Sequence, residues 1–329
     1  MGSAIVPLIV LVHGLGFWGK PYEAMQNVQC YLNSNGYEAR VVRLPGFNSS
    51  QYRAPVLLDE LNEIIRHDSA DETRLHLIGH SQGGLTTMDL FLNATTDTQK
   101  SEPYRNIVKR HIVGADAIAT PWHGADFPDG YSPLFHKYIR GENEVTVRRR
   151  PWAERYQRMV DWYGHHVLRL DQYPLDSVAL VEDLSGEYRA AAGLRAPWEE
   201  YNQMQYEMAD CVHASGDLAK ESKRLQLPPI YTHSAIAGEG TDHPITTQLL
   251  KGLNWFGQRH RDRSGKGRVP GDGLFTEASA HGPGEHLGII YGDHFLTGGY
   301  LGPNKTWPTT HLRVYRDIAN RIHARPLAQ

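Results

Sequence analysis

Cysteine is nearly absent from this chain. Its 329 residues contain two, Cys30 and Cys211, which excludes a disulfide framework or a cysteine-built four-ligand zinc site and leaves one bridge or two thiols. Long apolar runs are missing as well. No stretch reaches the roughly 18 continuously apolar residues a membrane-spanning helix needs, so no transmembrane segment is expected. Charge of one sign is missing too: 34 Lys and Arg face 37 Asp and Glu, for a net charge of −3 without a block of either sign. A nucleic-acid partner is therefore not expected. Aromatic residues, by contrast, are plentiful. The 7 Trp, 17 Tyr and 8 Phe are spread along the chain and speak against disorder.

The apolar residues are organised in short blocks. Ile5 to Val12 is a β-branched run that ends in His13-Gly14-Leu15-Gly16, the pattern of a strand buried on both faces and running into a tight turn. Helices are expected around Tyr22 to Leu32, Ala54 to Arg66 and Leu85 to Leu92, and strands at Ala39 to Leu44, Arg74 to Ile78 and Ile107 to Ala119. Such alternation implies a mostly parallel central sheet with right-handed crossovers and helices on both faces, an α/β fold. The alternation stops near Gly124. From there to Leu227 the clearest signal is Trp152, Tyr156, Met159, Tyr163, Val167 and Leu170, which share one face of a helix. Pro228 to Ala237 restores a strand, Leu249 to His311 is loop-rich, and a last helix is expected over Thr310 to His323. The organisation expected is a core in two parts, 1–123 and 228–329, with a helical lid or cap inserted at 124–227.

Gly79-His80-Ser81-Gln82-Gly83-Gly84 lies between an expected strand and an expected helix, the context in which G-x-S-x-G forms a nucleophile elbow. A strand turning sharply into a helix leaves Ser81 exposed above the sheet at the positive end of the helix. The backbone N–H groups of Leu15 and Gln82 are then placed to form an oxyanion hole, with each donor worth roughly 3 kcal/mol. His13 is expected to orient its loop rather than react. A serine at its free pKa is a weak nucleophile and requires an imidazole, itself held by a carboxylate. His294, in Tyr291-Gly292-Asp293-His294, follows the last uncharged strand-like run and is the expected base, with His286 and His281 as rivals. Asp272 sits between Gly271 and Gly273 and is the expected acid; Asp242 is its rival, and Asp293 is too close in sequence to His294.

With these residues in view, the chain resembles the bacterial triacylglycerol lipases of the α/β-hydrolase superfamily. The likeness is carried by Val12-His13-Gly14-Leu15-Gly16, Gly79-His80-Ser81-Gln82-Gly83, Ala119-Thr120-Pro121-Trp122-His123-Gly124, and Gly271-Asp272-Gly273-Leu274 with Asp293-His294 beyond it. The third stretch is similar to the Thr-Pro-His-x-Gly turn leading into the lid, with Trp122 where the family more often has His. The resemblance implies an α/β-hydrolase fold, ester hydrolysis through an acyl-enzyme and a helical lid. Phe17, Trp18, Trp122, Trp152, Tyr156, Met159 and Tyr163 are the expected substrate or lid residues. The apolar face from Trp152 to Leu170 either covers an acyl groove or packs permanently within the cap.

No cofactor is expected to be required, although the resemblance raises a structural calcium. The structural calcium of many such lipases uses an acidic residue just after the catalytic histidine, where this chain has Phe295 and Leu296. No room exists for the family's zinc-binding insertion, and His165-His166 or His281 with His286 are more simply surface or packing residues, so no metal is expected. A lipid or other ester, including one presented at an oil–water interface, is the expected partner, and the chain is expected to be monomeric. Secretion is expected from the resemblance, with the cytoplasm as the alternative. The start from Met1 to Gly19 lacks the basic region and the small-residue cleavage site of a leader, and Met1-Gly2-Ser3 reads as a cloning remnant, which leaves room for an export signal removed with it.

Overall fold

A computed structural model describes residues 6–15, 21–46, 48–68, 73–95, 99–124, 184, 227–237, 270–299 and 312–324. Among the described residues, six strands form one sheet, β1 (Leu8–Val12), β2 (Ala39–Val41), β3 (Leu75–His80), β4 (Ile112–Ile118), β5 (Ile230–Ile236) and β6 (Glu285–Tyr291), in the order β2-β1-β3-β4-β5-β6. Every neighbouring pair is parallel. The helices are α1 (Pro21–Ser34), α2 (Ser50–His67), α3 (Gln82–Thr95), α4 (Glu102–Arg110), the single turn α5 (His294–Thr297) and α6 (Arg313–Ala324).

Side chains alternate across a strand, so a continuously apolar strand is stable only with both faces covered. β1 meets this condition: Leu8, Val10 and Val12 join one buried cluster with Leu57, Leu61, Leu85 and Met88, while Ile9 and Leu11 join a second with Met25, Val28, Leu32, Tyr315 and Ile318. The helices α2, α3 and α4 thus cover one face and α1 and α6 the other. At the edge, β6 alternates exposed and half-buried residues, with Leu287, Ile289 and Tyr291 exposed. The part of the expected insertion at 124–227 that is described is its ends and Leu184, which is buried in the first cluster. The helix expected over Trp152 to Leu170, together with Asp242 and Cys211, lies outside the described residues.

Several expected boundaries moved by a few residues, and two of the shifts have a clear local cause. Ile107 and Val108, expected at the start of a strand, belong to α4. Tyr104, Ile107 and Val108 repeat at helical spacing after a Glu102-Pro103 start, and this periodicity outweighs the β-branching of the pair. Helix α2 starts at Ser50 rather than at Ala54, because the Ser49 hydroxyl accepts from the Tyr52 N–H and caps it four residues earlier.

A buried ionic cluster fastens α6 to the centre of the sheet. Asp116, in the middle of β4, accepts from His76 Nε2 at 2.7 Å and His233 Nε2 at 2.8 Å, and Arg321 from α6 reaches its two oxygens at 2.5 and 2.6 Å. Burial alone would raise the Asp116 pKa, but the hydrogen bonds from His233 and His76 hold it well below the usual carboxylate range. The Arg321 guanidinium also stacks over the Tyr231 ring at 4.0 Å.

Candidate active site

In a parallel sheet the crevice opens where the strand order reverses, here between β1 and β3, outside their C-terminal ends. His13, Gly14 and Leu15 follow β1 directly, and Ser81 is the single residue between β3 and α3. Ser81 has φ 57°, a left-handed conformation uncommon for serine, and it is fixed there by its N–H bonding to the Ile118 carbonyl at 2.9 Å. Two glycines make this turn possible. A Cβ on Gly83 would lie 2.1 Å from the Val12 carbonyl oxygen, and one on Gly14 would lie 2.6 Å from the Ser81 Cβ.

The Ser81 hydroxyl lies 2.9 Å from His294 Nε2, and His294 Nδ1 lies 2.6 Å from Asp272 Oδ2. All three residues are buried. The second Asp272 oxygen, Oδ1, accepts from the backbone N–H groups of Leu274 at 2.9 Å and Phe275 at 2.8 Å. This fully bonded carboxylate fixes the proton of His294 on Nδ1 and leaves Nε2 as the acceptor facing serine. The His294 ring is held between Phe275, edge-on at 4.7 Å, and the tilted ring of His80, also at 4.7 Å. The structure therefore brings together the three residues singled out in the sequence. The rivals that are described have other partners. Asp293 caps α5 by accepting from the Leu296 N–H at 2.8 Å, and His281 and His286 stack on each other at 4.0 Å.

Gln82 is the first residue of α3, so its N–H lies in the first turn, at the positive end of the helix. Behind it stands a residue that sequence reasoning missed. Arg53, fully buried on α2, donates to the Gln82 Oε1 and to the His13 carbonyl, and Gln82 Nε2 donates to the Asn48 carbonyl at 2.7 Å. One guanidinium thereby ties the loop after β1 to the start of α3. Its signal was available, since Arg53 falls on the same helical face as Ala54, Leu57, Leu58 and Leu61.

His13 and His80 are buried beside this centre. His13 Nε2 accepts from the Leu44 N–H at 3.1 Å, which places its proton on Nδ1, donated to the Gly14 carbonyl at 2.9 Å. Burial, reinforced by the Arg53 charge, lowers its pKa to about 3. Burial, followed by the charge of His294, likewise holds His80 well below the ordinary histidine value. Both rings are neutral in the fold and protonate in the unfolded chain below about pH 6.5. Stability is therefore fully present above that pH and falls as the pH drops, by roughly 1 kcal/mol per pH unit for each ring. Urea unfolding at pH 7, 6 and 5 is expected to show this loss, and His13→Asn is expected to make the slope shallower.

A small crevice, open to solvent, lies over Ser81 and is lined by Leu15, Met25, Leu274 and Phe295 together with the histidines already described. Trp122 is not part of it; it is buried against Gly282, where a Cβ would meet its indole at 2.2 Å. Phe17, Trp18, Trp152, Tyr156, Met159 and Tyr163 lie outside the described residues.

The profile of the Alpha/beta hydrolase family matches residues 9–286, which takes in the elbow, the acid loop and the whole parallel sheet as far as the start of β6. The chain belongs to this family. Within it, the chain is 29% identical over 127 residues to a triacylglycerol lipase of Pseudarthrobacter phenanthrenivorans, a match covering 37% of this chain and 35% of the relative. The chain thus spans about a third of the length of the curated relatives it matches. Among solved structures, this alpha/beta hydrolase family member is similar in fold to a metagenomic carboxyl esterase, with a TM-score of 0.57 and 15% identity over 98% of this chain and 77% of that one. It is similar also to the Staphylococcus hyicus lipase, with a TM-score of 0.52 and 14% identity over 97% of this chain and 95% of that one. Among the described residues, no helix is long and apolar enough to cross a membrane.

Proposed function

We propose that this chain hydrolyses carboxylic esters through an acyl-enzyme, with Ser81 as nucleophile, His294 as general base and then acid, and Asp272 as the carboxylate that orients His294. The observation that carries this reading is the unbroken hydrogen-bonded relay from Ser81 Oγ through His294 to Asp272, set at a helix N-terminus beside an apolar cavity. Ser81 attacks the ester carbonyl while its proton passes to His294 Nε2. The tetrahedral oxyanion is bound by the N–H groups of Leu15 and Gln82, which Arg53 holds in register. His294 then protonates the departing alcohol. Water then attacks the acyl carbonyl, giving its proton to His294, which passes it to Ser81 Oγ as the acid is released.

Acyl glycerols are the proposed substrates, a choice supported by the partial match to triacylglycerol lipases. Secretion, and action at an oil–water interface under a lid built from 124–227, belong to the same proposal. Short-chain esters or polyesters form the second reading. It is favoured by the polar, aromatic character of 124–227, where dedicated fat-splitting lids tend to be aliphatic. Hydrolysis of p-nitrophenyl esters from acetate to palmitate, below and above their solubility limits, separates the two. Rates that favour long chains and jump on substrate aggregation support the lipase reading, whereas a short-chain maximum without a jump supports the other. The absence of any ester hydrolysis, with no covalent labelling of Ser81 by a fluorophosphonate, would sink both.

A further inference from the structure

The loop that carries Asp272 does not end at the relay. It runs on through a 3-10 turn, Ala278–Ala280, before entering β6, with Glu277 immediately before that turn and His281 immediately after it. Glu277 Oε1 and His281 Nε2 are 2.6 Å apart, and the His286 ring, from β6, stacks on His281 at 4.0 Å and 28°. The ligating atoms of all three side chains lie within 4.8 Å of one another, the one such His and carboxylate group among the described residues. We propose that Glu277, His281 and His286 bind a Zn²⁺ ion that staples the acid loop to the edge strand.

Two imidazoles and one carboxylate are a donor set Zn²⁺ takes readily, with a fourth position left to water. Zinc–ligand bonds of about 2.1 Å place tetrahedral donors roughly 3.4 Å apart, so a group already within 4.8 Å closes on the ion by side-chain rotation. His281 has room for that rotation, with 46% of its side chain exposed. An ordinary Glu–His pair on one turn would account for Glu277 and His281, but not for a second imidazole brought against them from a different element.

The surroundings are built to hold these side chains in place. The Thr232 and Ser234 hydroxyls of β5 lie 3.3 Å from His286 Nδ1 and 3.4 Å from Nε2, so the hydroxyl at the nitrogen that binds the ion gives way and the other is kept. Such outer contacts orient a ligating histidine. The His281 carbonyl accepts from His123 Nε2 at 3.0 Å, and the Glu277 N–H donates to the Pro270 carbonyl at 2.9 Å. Bound zinc would join the segment after Asp272 to the strand that leads to His294, and would stabilise both without touching Ser81.

Zinc binding is read directly, and so independently of ester hydrolysis. Isothermal titration of the full chain, stripped with EDTA, is expected to show one Zn²⁺ site with a micromolar Kd. At a hundredfold excess over Kd, the unfolding midpoint is expected to rise by about 4 °C. Co²⁺ in place of zinc is expected to show the visible absorption of a tetrahedral ion. His281→Ala and Glu277→Gln change surface-accessible side chains and are expected to weaken binding at least tenfold, while His67→Ala, an exposed histidine on α2, leaves it unchanged. No stoichiometric site, or a site of equal affinity in His281→Ala and Glu277→Gln, would overturn the assignment and attribute any bound zinc to others of the 18 histidines.

Discussion

Replacing Ser81 by alanine is expected to lower kcat for p-nitrophenyl ester hydrolysis by about 10⁵- to 10⁶-fold, with the fold intact. The attacking oxygen, which His294 Nε2 faces at 2.9 Å, is lost. The contacts that hold the turn survive, because the Ser81 N–H bond to the Ile118 carbonyl and the packing of Gly83 on Val12 involve no hydroxyl. An unchanged unfolding midpoint and circular dichroism spectrum should therefore accompany the loss of rate. A variant retaining more than a few per cent of wild-type activity would show that Ser81 is not the nucleophile.

Asp272→Asn is expected to lower kcat by about 10⁴-fold while changing KM little. Asp272 Oδ1 is committed to two backbone donors, the N–H groups of Leu274 and Phe275. An asparagine must keep its oxygen there, since its NH₂ would oppose two other N–H groups. The NH₂ is then left facing His294 Nδ1, where the carboxylate had accepted at 2.6 Å. His294 can answer only by moving its proton to Nε2, and that nitrogen then cannot take one from Ser81. Rates measured across pH would separate this tautomer effect from simple disruption: the loss should be largest near neutrality and shrink in strong base. A variant within tenfold of wild type would remove Asp272 from the relay.

The readable parts of this chain were those in which a few neighbouring residues satisfy a local rule. The β-branched run of β1, the glycines around Ser81 and the glycine-flanked Asp272 each state a strand, an elbow or a turn within a handful of positions. Where two local rules competed, the reading slipped. Ile107 and Val108 suit a strand by residue type and a helix by spacing, and the apolar face they complete with Tyr104 decided for α4. Arg53 was passed over for a different reason: a lone arginine in a helix is ordinarily a solvent-facing charge, and its partners Gln82 and His13 are distant in the chain. Asp116 stands as one polar residue within an apolar strand, and its partners His76, His233 and Arg321 reach it from β3, β5 and α6, far off in the chain.

By itself, the sequence determined the alternation of strands and helices, hence a parallel sheet covered on both faces, and the residue types able to serve as nucleophile, base and acid. Backbone propensity, apolar periodicity and the steric demands of tight turns act over a few residues, so they are written in consecutive letters. Which of the 18 histidines meets Ser81, which carboxylate meets that histidine, and that Arg53 braces both sides of the crevice were decided only by tertiary structure. These pairings join positions far apart in the chain, and they form because packing α2 and the acid loop onto the sheet removes water from polar groups that must then find one another.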